Sequence, residues 1–314
     1  MHVVTSPTMS FLHWRALAAF ATLLVVAPAL PGIAVKTRSA LTGRRGAPVL
    51  QLYYDLAKLA RKGSVYSTTT SWVFRAGPLV TVAALGAAAA FLPLDGRRAL
   101  ARFPGDLVVF AALLALARFA LVLSGLDTGS SFEGMGASRE VAFASFAEPA
   151  LFACFVALAL ATGDLSLSDM FGAPLAGAWA RAAAPLILVG LSLFVLLLAE
   201  NSRVPIDDPA THLELTMIHE VIVLDHSGPD LALVLFGSAL KMSMFAALLV
   251  GLAVPRATRS LPAALALLVG GLAAVAVAVG IVESVMARLR LTRVPQLLVG
   301  AGALSLFGII LLLR

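Results

Sequence analysis

Residues 200–230 read ENSRVPIDDPATHLELTMIHEVIVLDHSGPD. Seven carboxylates, three histidines and one arginine lie here between two long apolar runs, 181–199 and 230–253. Each run has about the twenty residues an α-helix needs to cross ~30 Å of hydrocarbon, so the unit reads as span, polar segment, span. A membrane protein gains no packing from such a segment. Its expected work is to bind a partner and to carry or gate charge at the membrane surface.

Outward from this unit the pattern repeats. The chain has 314 residues, 60% of them hydrophobic and only 13% charged, with a mean hydropathy of +0.97. A soluble domain could not hide that much apolar surface. No segment shows the two-residue alternation of a membrane β-barrel, so the spans are helices. The expected fold is all-α: one polytopic integral membrane domain over 1–314 with eight spans, at 16–35, 72–93, 106–124, 139–161, 181–199, 230–253, 262–283 and 295–313. A shorter helix over 210–224 is expected as a half-span or a surface element. Between the first two spans, PVLQLYYDLAKLARKG (48–63) reads as an amphipathic surface helix. Leu52, Leu56, Leu59 and Tyr53 form its apolar stripe; Asp55, Lys58, Arg61 and Lys62 form its polar side.

Lys36, Arg38, Arg44, Arg45, Lys58, Arg61 and Lys62 fall in the first connecting loop, which the positive-inside rule places in the cytoplasm. The N-terminus is then outside, and the loops 36–71, 125–138, 200–229 and 284–294 all face the cytoplasm. Ala27-Pro28-Ala29 resembles a signal-peptide cleavage site, but the length of the first run and its basic flank favour a retained span.

The net charge of +6 does not indicate nucleic-acid binding, because basic and aromatic residues are not interleaved; the lipid bilayer is the expected surroundings. The single cysteine, Cys154, cannot hold an iron–sulfur cluster or a structural zinc. No GxGxxG, P-loop, HExxH or CxxC is present. No cofactor is expected in this chain, so electrons or nucleotides would belong to other subunits.

Arg75, Arg118, Glu148, Lys241 and Glu283 lie within expected spans. A charge at the bilayer centre costs about 2.5–3.5 kcal/mol on insertion scales, so each needs a partner or water. Glu148 is nine residues past Arg139, about 13 Å along a helix, and Lys241 is eleven past Asp230, about 16 Å. One wet cavity open to the cytoplasm would satisfy all five. Arg75 and Arg118 are long enough to snorkel to the interface. Glu148, Lys241 and Glu283 read either as a polar pathway or as buried ion pairs that orient helices.

Within 200–230, Glu200 and Arg203 are spaced to pair on one helix face. Pro205 and Pro209 then stop the helix, with Asp207 and Asp208 in the turn. Thr211 and Glu214 have the spacing of a capping box. His212, His219 and His226 recur every seven residues, roughly 10 Å along a helix, which is too far for one metal ion. They read as proton relays or as partners of Glu220 and Asp225.

These residues resemble the signature of the membrane subunit of formate hydrogenlyase and other energy-converting nickel–iron hydrogenases, a family related to subunit 1 of respiratory complex I. GLDTGSSFEGMGASREVAFASFAEPALF (125–152) and VESVMARLRLTRVPQ (282–296) carry the resemblance further, as does the helix bearing Gln51, Asp55 and Lys58. It covers nearly the whole chain. It implies a multi-pass subunit of a prokaryotic cytoplasmic membrane, docked beneath the hydrogenase large and small subunits and beside antiporter-like membrane subunits. The nickel–iron centre and iron–sulfur clusters would lie in those partners. Glu148, Glu200, Arg203, Asp207, Asp208 and Glu214 match the positions that link redox events to proton movement; Glu220, Lys241 and Glu283 join them as pathway candidates. Arg139, Asp225, His226, Arg288 and Arg290 are the candidates for docking.

The leading expectation is a non-catalytic subunit that couples electron transfer to movement of protons or sodium ions. A quinone-binding subunit of a complex I-like enzyme is a second reading. Gly46-Ala47-Pro48 in place of GPN, and the shortened acidic run after Pro209, weigh against it. A stand-alone secondary transporter is a third reading, for which inverted repeats are not evident. A passive anchor is a fourth.

Overall fold

The computed structural model describes residues 8–96, 98–207, 217–254 and 260–314, with side chains from Trp14 onward. These residues form helices and no strand: α1 Thr8–Val26, α2 Ala29–Leu41, α3 Gln51–Ala60, α4 Trp72–Ala89, α5 Asp106–Leu126, α6 Ser131–Thr162, α7 Leu167–Met170, α8 Ala173–Glu200, α9 His219–Ile222, α10 Gly228–Ala253, α11 Leu261–Val285 and α12 Val294–Leu312. Seven are long and apolar enough to cross a bilayer. Trp14–Val26 with Ala29–Leu41, bent by 47°, makes an eighth if taken as one span. The chain is a multi-pass membrane protein.

The first span differs from the expectation of one straight helix over 16–35. Pro28 sits at the break and has no N–H to continue the ladder. The nearby Val25 carbonyl accepts a hydrogen bond from the Tyr53 hydroxyl, which ties the surface helix α3 to the bend. Because α2 runs to Leu41 and α6 starts at Ser131, residues 36–41 and 131–138 are helical rather than loop. α8 also starts earlier than expected. It is kinked at Ala182 (φ −141°, ψ 47°), one turn before Pro185, whose ring removes a helical hydrogen bond there.

Helices that meet closely do so through small residues, as packing within lipid requires. A Cβ on Gly77 of α4 would stand 2.4 Å from the Ser124 Cβ of α5, and one on Gly280 of α11 would stand 2.5 Å from the Ala34 carbonyl oxygen of α2. Carboxylates fasten both ends of the bundle. At one end Asp106 accepts from the Leu167 N–H and the Ser166 hydroxyl, both at 2.7 Å. At the other, Asp127 accepts from the Ser71 N–H at 2.6 Å and the Phe74 N–H at 3.2 Å, filling donors that the start of α4 leaves open. These bonds outweigh the effect of burial and hold the Asp127 carboxyl below the usual range. This second end also carries α3, α9 and the 286–293 segment.

Of the expected 210–224 helix, only the part from residue 217 is described, and it is the single turn α9.

Candidate functional site

Arg118, in the middle of α5, is the hub of the buried charges. Its Nη2 donates to Glu200 Oε1 at 2.5 Å, its Nε lies 3.5 Å from Glu140 Oε1, and its Nη1 donates to Glu148. On the far side of Glu200, Lys241 Nζ lies 3.5 Å from Oε2. Each residue comes from a different place in the fold: Arg118 from α5, Glu140 and Glu148 from positions about two turns apart on α6, Glu200 from the last position of α8, and Lys241 from mid-α10. The Arg118 and Glu200 side chains are only 9% and 8% exposed, whereas Glu148 is 44% exposed.

Arg118, Glu140, Phe143, Glu200 and Ser202 line a small cavity of about 20 Å³, room for roughly one water molecule. Glu148 faces the opposite way, into an open groove of about 530 Å³ between α5 and α6 walled by Ala112, Leu116, Phe119 and Val141. Three carboxylates therefore face two cations. Full ionisation leaves one negative charge more than the cations balance, beside the buried Arg118–Glu200 pair, where charge interactions are strong. Such a cluster is suited to taking up and releasing a proton.

The other expected site residues are distributed differently. Glu200 does not pair with Arg203. Ser202 has a positive φ of 48°, which turns the chain at the end of α8, and Arg203 Nη1 instead lies 3.4 Å from Glu283 Oε1. Its Nη2 lies 3.7 Å from the Met242 sulfur. Asp207 is held by Arg288 Nη2 at 2.8 Å and accepts from the Ile218 N–H at 2.9 Å. The Leu289 N–H donates to the Pro205 carbonyl at 2.8 Å. These bonds tie the segment after α8 to the turn after α11. The single cavity expected to satisfy all five intramembrane charges is thus replaced by three arrangements: the Arg118 cluster, the Arg203–Glu283 pair, and Arg75, whose guanidinium lies 4.2 Å over the Tyr66 ring.

Among the docking candidates, Arg290 and Asp225 are exposed. Arg139 donates to the Met217 carbonyl at 2.8 Å and so braces the start of α9. His226 is only 4% exposed. It stacks on Phe74 at 4.2 Å, and its Nε2 lies 2.9 Å from the Ser124 hydroxyl, so it is a packing residue and not a surface contact. Burial pushes its imidazole below the usual histidine range, against the opposing pull of Asp230 and Asp225. Glu220 is half-buried on α9. Asp208, Thr211, His212 and Glu214 lie outside the described residues.

The sequence pointed to Arg118 as a charge within a span and to His219 as a proton relay or a partner of Glu220 and Asp225, but not to Glu140 or Glu133. Glu133 is 2% exposed. His219 has a buried Nε2 without a hydrogen-bond partner among the described residues. Its imidazole is lowered by burial, raised by Glu140 and lowered by Lys241, with a net downward shift. The seven-residue spacing of Glu133 and Glu140 along one helix face was the available signal. Among the described residues, no three His, Cys, Asp or Glu side chains are grouped so as to hold a metal ion.

The sequence profile of the NADH dehydrogenase family matches residues 14–313. Hydrogenase-4 component C of Escherichia coli (strain K12) is 35% identical over 243 residues, 76% of this chain and 75% of that protein. Formate hydrogenlyase subunit 4 of the same strain is 32% identical over 285 residues, 88% of this chain and 90% of that protein. An NADH-quinone oxidoreductase subunit of Burkholderia vietnamiensis (strain G4 / LMG 22486) is 26% identical over 211 residues, 64% of this chain and 59% of that protein. A chain in the structure of the membrane-bound sulfane sulfur reductase, an archaeal respiratory membrane complex, superposes with a TM-score of 0.83. The match covers 95% of this chain and 98% of that one at 20% identity and shows a shared fold.

Proposed function

We propose, from the premise that this chain belongs to the NADH dehydrogenase family, that it is the non-catalytic membrane subunit of a hydrogenase-type oxidoreductase complex and couples electron transfer in a peripheral arm to proton movement. Its similarity to a hydrogenase component and to a formate hydrogenlyase subunit over most of its length supports the hydrogenase branch. In this reading the nickel–iron centre and iron–sulfur clusters belong to large and small subunits seated on the end of the bundle that carries α3, the segment after α8 and the turn after α11. Antiporter-like subunits lie alongside in the membrane. The exposed Arg44, Arg45, Lys58, Arg61 and Lys62 at that end favour a cytoplasmic position for it and a non-cytoplasmic N-terminus.

One observation carries the proposal: Arg118 gathers three carboxylates, of which Glu140 and Glu200 line a water-sized cavity, and Lys241 meets Glu200 from its other side. A shift of charge in the arm above is felt at Asp207 and Arg288, and through the segment after α8 at Glu200. The cluster answers by binding or releasing the proton that its excess carboxylate accommodates. No observation specific to a quinone site or to a stand-alone transporter favours those readings.

The test is Glu148→Gln in the assembled complex in sealed vesicles. Proton movement per electron is expected to fall by at least roughly tenfold, with redox turnover retained when the membrane is made leaky. Wild-type coupling in this variant would overturn the role given to the cluster.

A further inference from the structure

We infer that the seam between α6 and α9 is a second proton-conducting branch, along which Glu133 and His219 carry protons from the α9 end of the bundle to Glu140 and the Arg118 cavity. This inference rests on the proposed function and adds carriers to it.

The seam holds two polar atoms that no hydrogen bond among the described residues explains. Glu133 is almost wholly buried in the first turn of α6, and its Oε2 has no hydrogen-bond partner among the described residues; neither has His219 Nε2. Buried polar groups are ordinarily satisfied, and an orphan calls for a water, an ion or a transfer role. No grouping of described His, Cys, Asp or Glu residues there could hold a metal ion, and the two atoms are suited to water and to a proton.

The geometry joins the two groups to the cavity. Glu133 and Glu140 are seven residues apart, two helical turns and about 10 Å on one face of α6. Gly136 lies between them, and a Cβ there would stand 3.0 Å from the Ile218 carbonyl oxygen and about the same from the Ile222 and Val221 side chains. That face of α6 therefore rests directly on α9, whose first residue is His219. His219 also lies within electrostatic reach of Glu140 on α6 and Lys241 on α10, and Glu140 touches Arg118 and lines the cavity. A first-turn carboxylate does suit the positive end of a helix dipole. An exposed glutamate would serve that purpose equally, so the dipole explains neither the burial nor the orphan oxygen.

Transfer along the seam conserves protons. Glu133 takes one from water at the end of the bundle and passes it through an intervening water to the free nitrogen of His219. The imidazole gives up its other proton toward Glu140.

The experiment compares Glu133→Gln, Glu133→Asp, His219→Asn and the exposed control Ser138→Ala in the assembled complex in vesicles, reading protons moved per electron and the solvent isotope effect on proton movement. Glu133→Gln and His219→Asn are expected to lower coupling by at least roughly tenfold, Glu133→Asp to restore most of it, and Ser138→Ala to leave it unchanged. Wild-type coupling in Glu133→Gln and His219→Asn, alongside lost coupling in Glu148→Gln, would overturn the seam and leave the proposed function standing. Wild-type coupling in all three removes both. Should the seam variants fail to assemble, a hydrophobic carbodiimide applied to the unmodified complex decides: mass-mapped labelling of Glu133 that tracks loss of coupling supports the branch, and an unlabelled Glu133 refutes it.

Discussion

Replacing Arg118 with glutamine tests whether the hub holds the bundle together as well as carrying charge. Glu200 and Glu140 would lose the guanidinium that faces them at 2.5 and 3.5 Å; Lys241, at 3.5 Å from Glu200, would remain the one cation contacting the cluster among the described residues. Removing one partner of a buried ion pair costs about 3–5 kcal/mol, because the other charge is left buried without compensation. That is roughly two to three and a half orders of magnitude in the folding equilibrium, and a fall in unfolding temperature on the order of 10 °C. Glu148→Gln is the internal contrast. Its side chain is 44% exposed, so screening reduces its pair with Arg118 to about 0–1 kcal/mol. Combining Arg118→Gln with Glu200→Gln should recover part of the loss, since the most buried carboxylate then carries no charge. Cys154, the only cysteine of this chain and fully buried, supplies the assay: its alkylation in the heated complex, followed by mass spectrometry, reports opening of the bundle around it. Equal labelling midpoints for Arg118→Gln, Glu148→Gln and wild type would show that the guanidinium is not holding buried carboxylates.

Asp207→Asn weakens the Arg288 pair at 2.8 Å and the cap on the Ile218 N–H; the expected loss is about 1–3 kcal/mol, read as faster amide exchange over residues 217–222 with the transmembrane helices unchanged. For His226, burial lowers the imidazole despite Asp230 and Asp225, so the folded state favours the neutral ring. Its stabilising contribution is present above the unfolded pKa of about 6.5 and is lost as pH falls through the lowered folded value. His226→Gln should flatten that part of the stability profile below pH 6.5, leaving a residual slope from His219, which shifts in the same direction. Labelling of single cysteines placed at Arg45 and Arg61 should occur only from the cytoplasmic side of intact cells; labelling from outside would reverse the orientation.

The spans were legible because apolar length is a local property. A run such as 106–124 announces a helix wherever it sits, and α5, at Asp106–Leu126, differs from it by two residues. The exceptions have local physical causes. Pro28 broke the first span, and α6 began eight residues before 139 because Ser130 accepts from the Phe132 N–H as a cap; small and polar residues in its first two turns hid the helix from a hydropathy reading. Pairing was far less legible. Glu200 and Arg203 looked like a helix-face pair, but that spacing presumes the helix continues past 200, and the left-handed Ser202 ends it. Arg118 was equally consistent with snorkelling, since a long side chain on an isolated span has that option.

Only the assembled fold removes that option. The contacts of the hub join residues 30, 82 and 41 positions apart, separations at which spacing carries no information. What the sequence did hold was the physical demand: a charge inside a span must find a partner. The fold answers that demand with one carboxylate more than it has cations, and it gives the cluster two different flanks. Glu140 turns inward to the water-sized cavity and the α9 seam, while Glu148 turns outward to an open groove between α5 and α6. A purely structural ion pair needs neither the surplus charge nor the two flanks. A group that receives a proton on one side and influences a neighbour on the other needs both, and for that reason the coupling reading outranks the passive anchor.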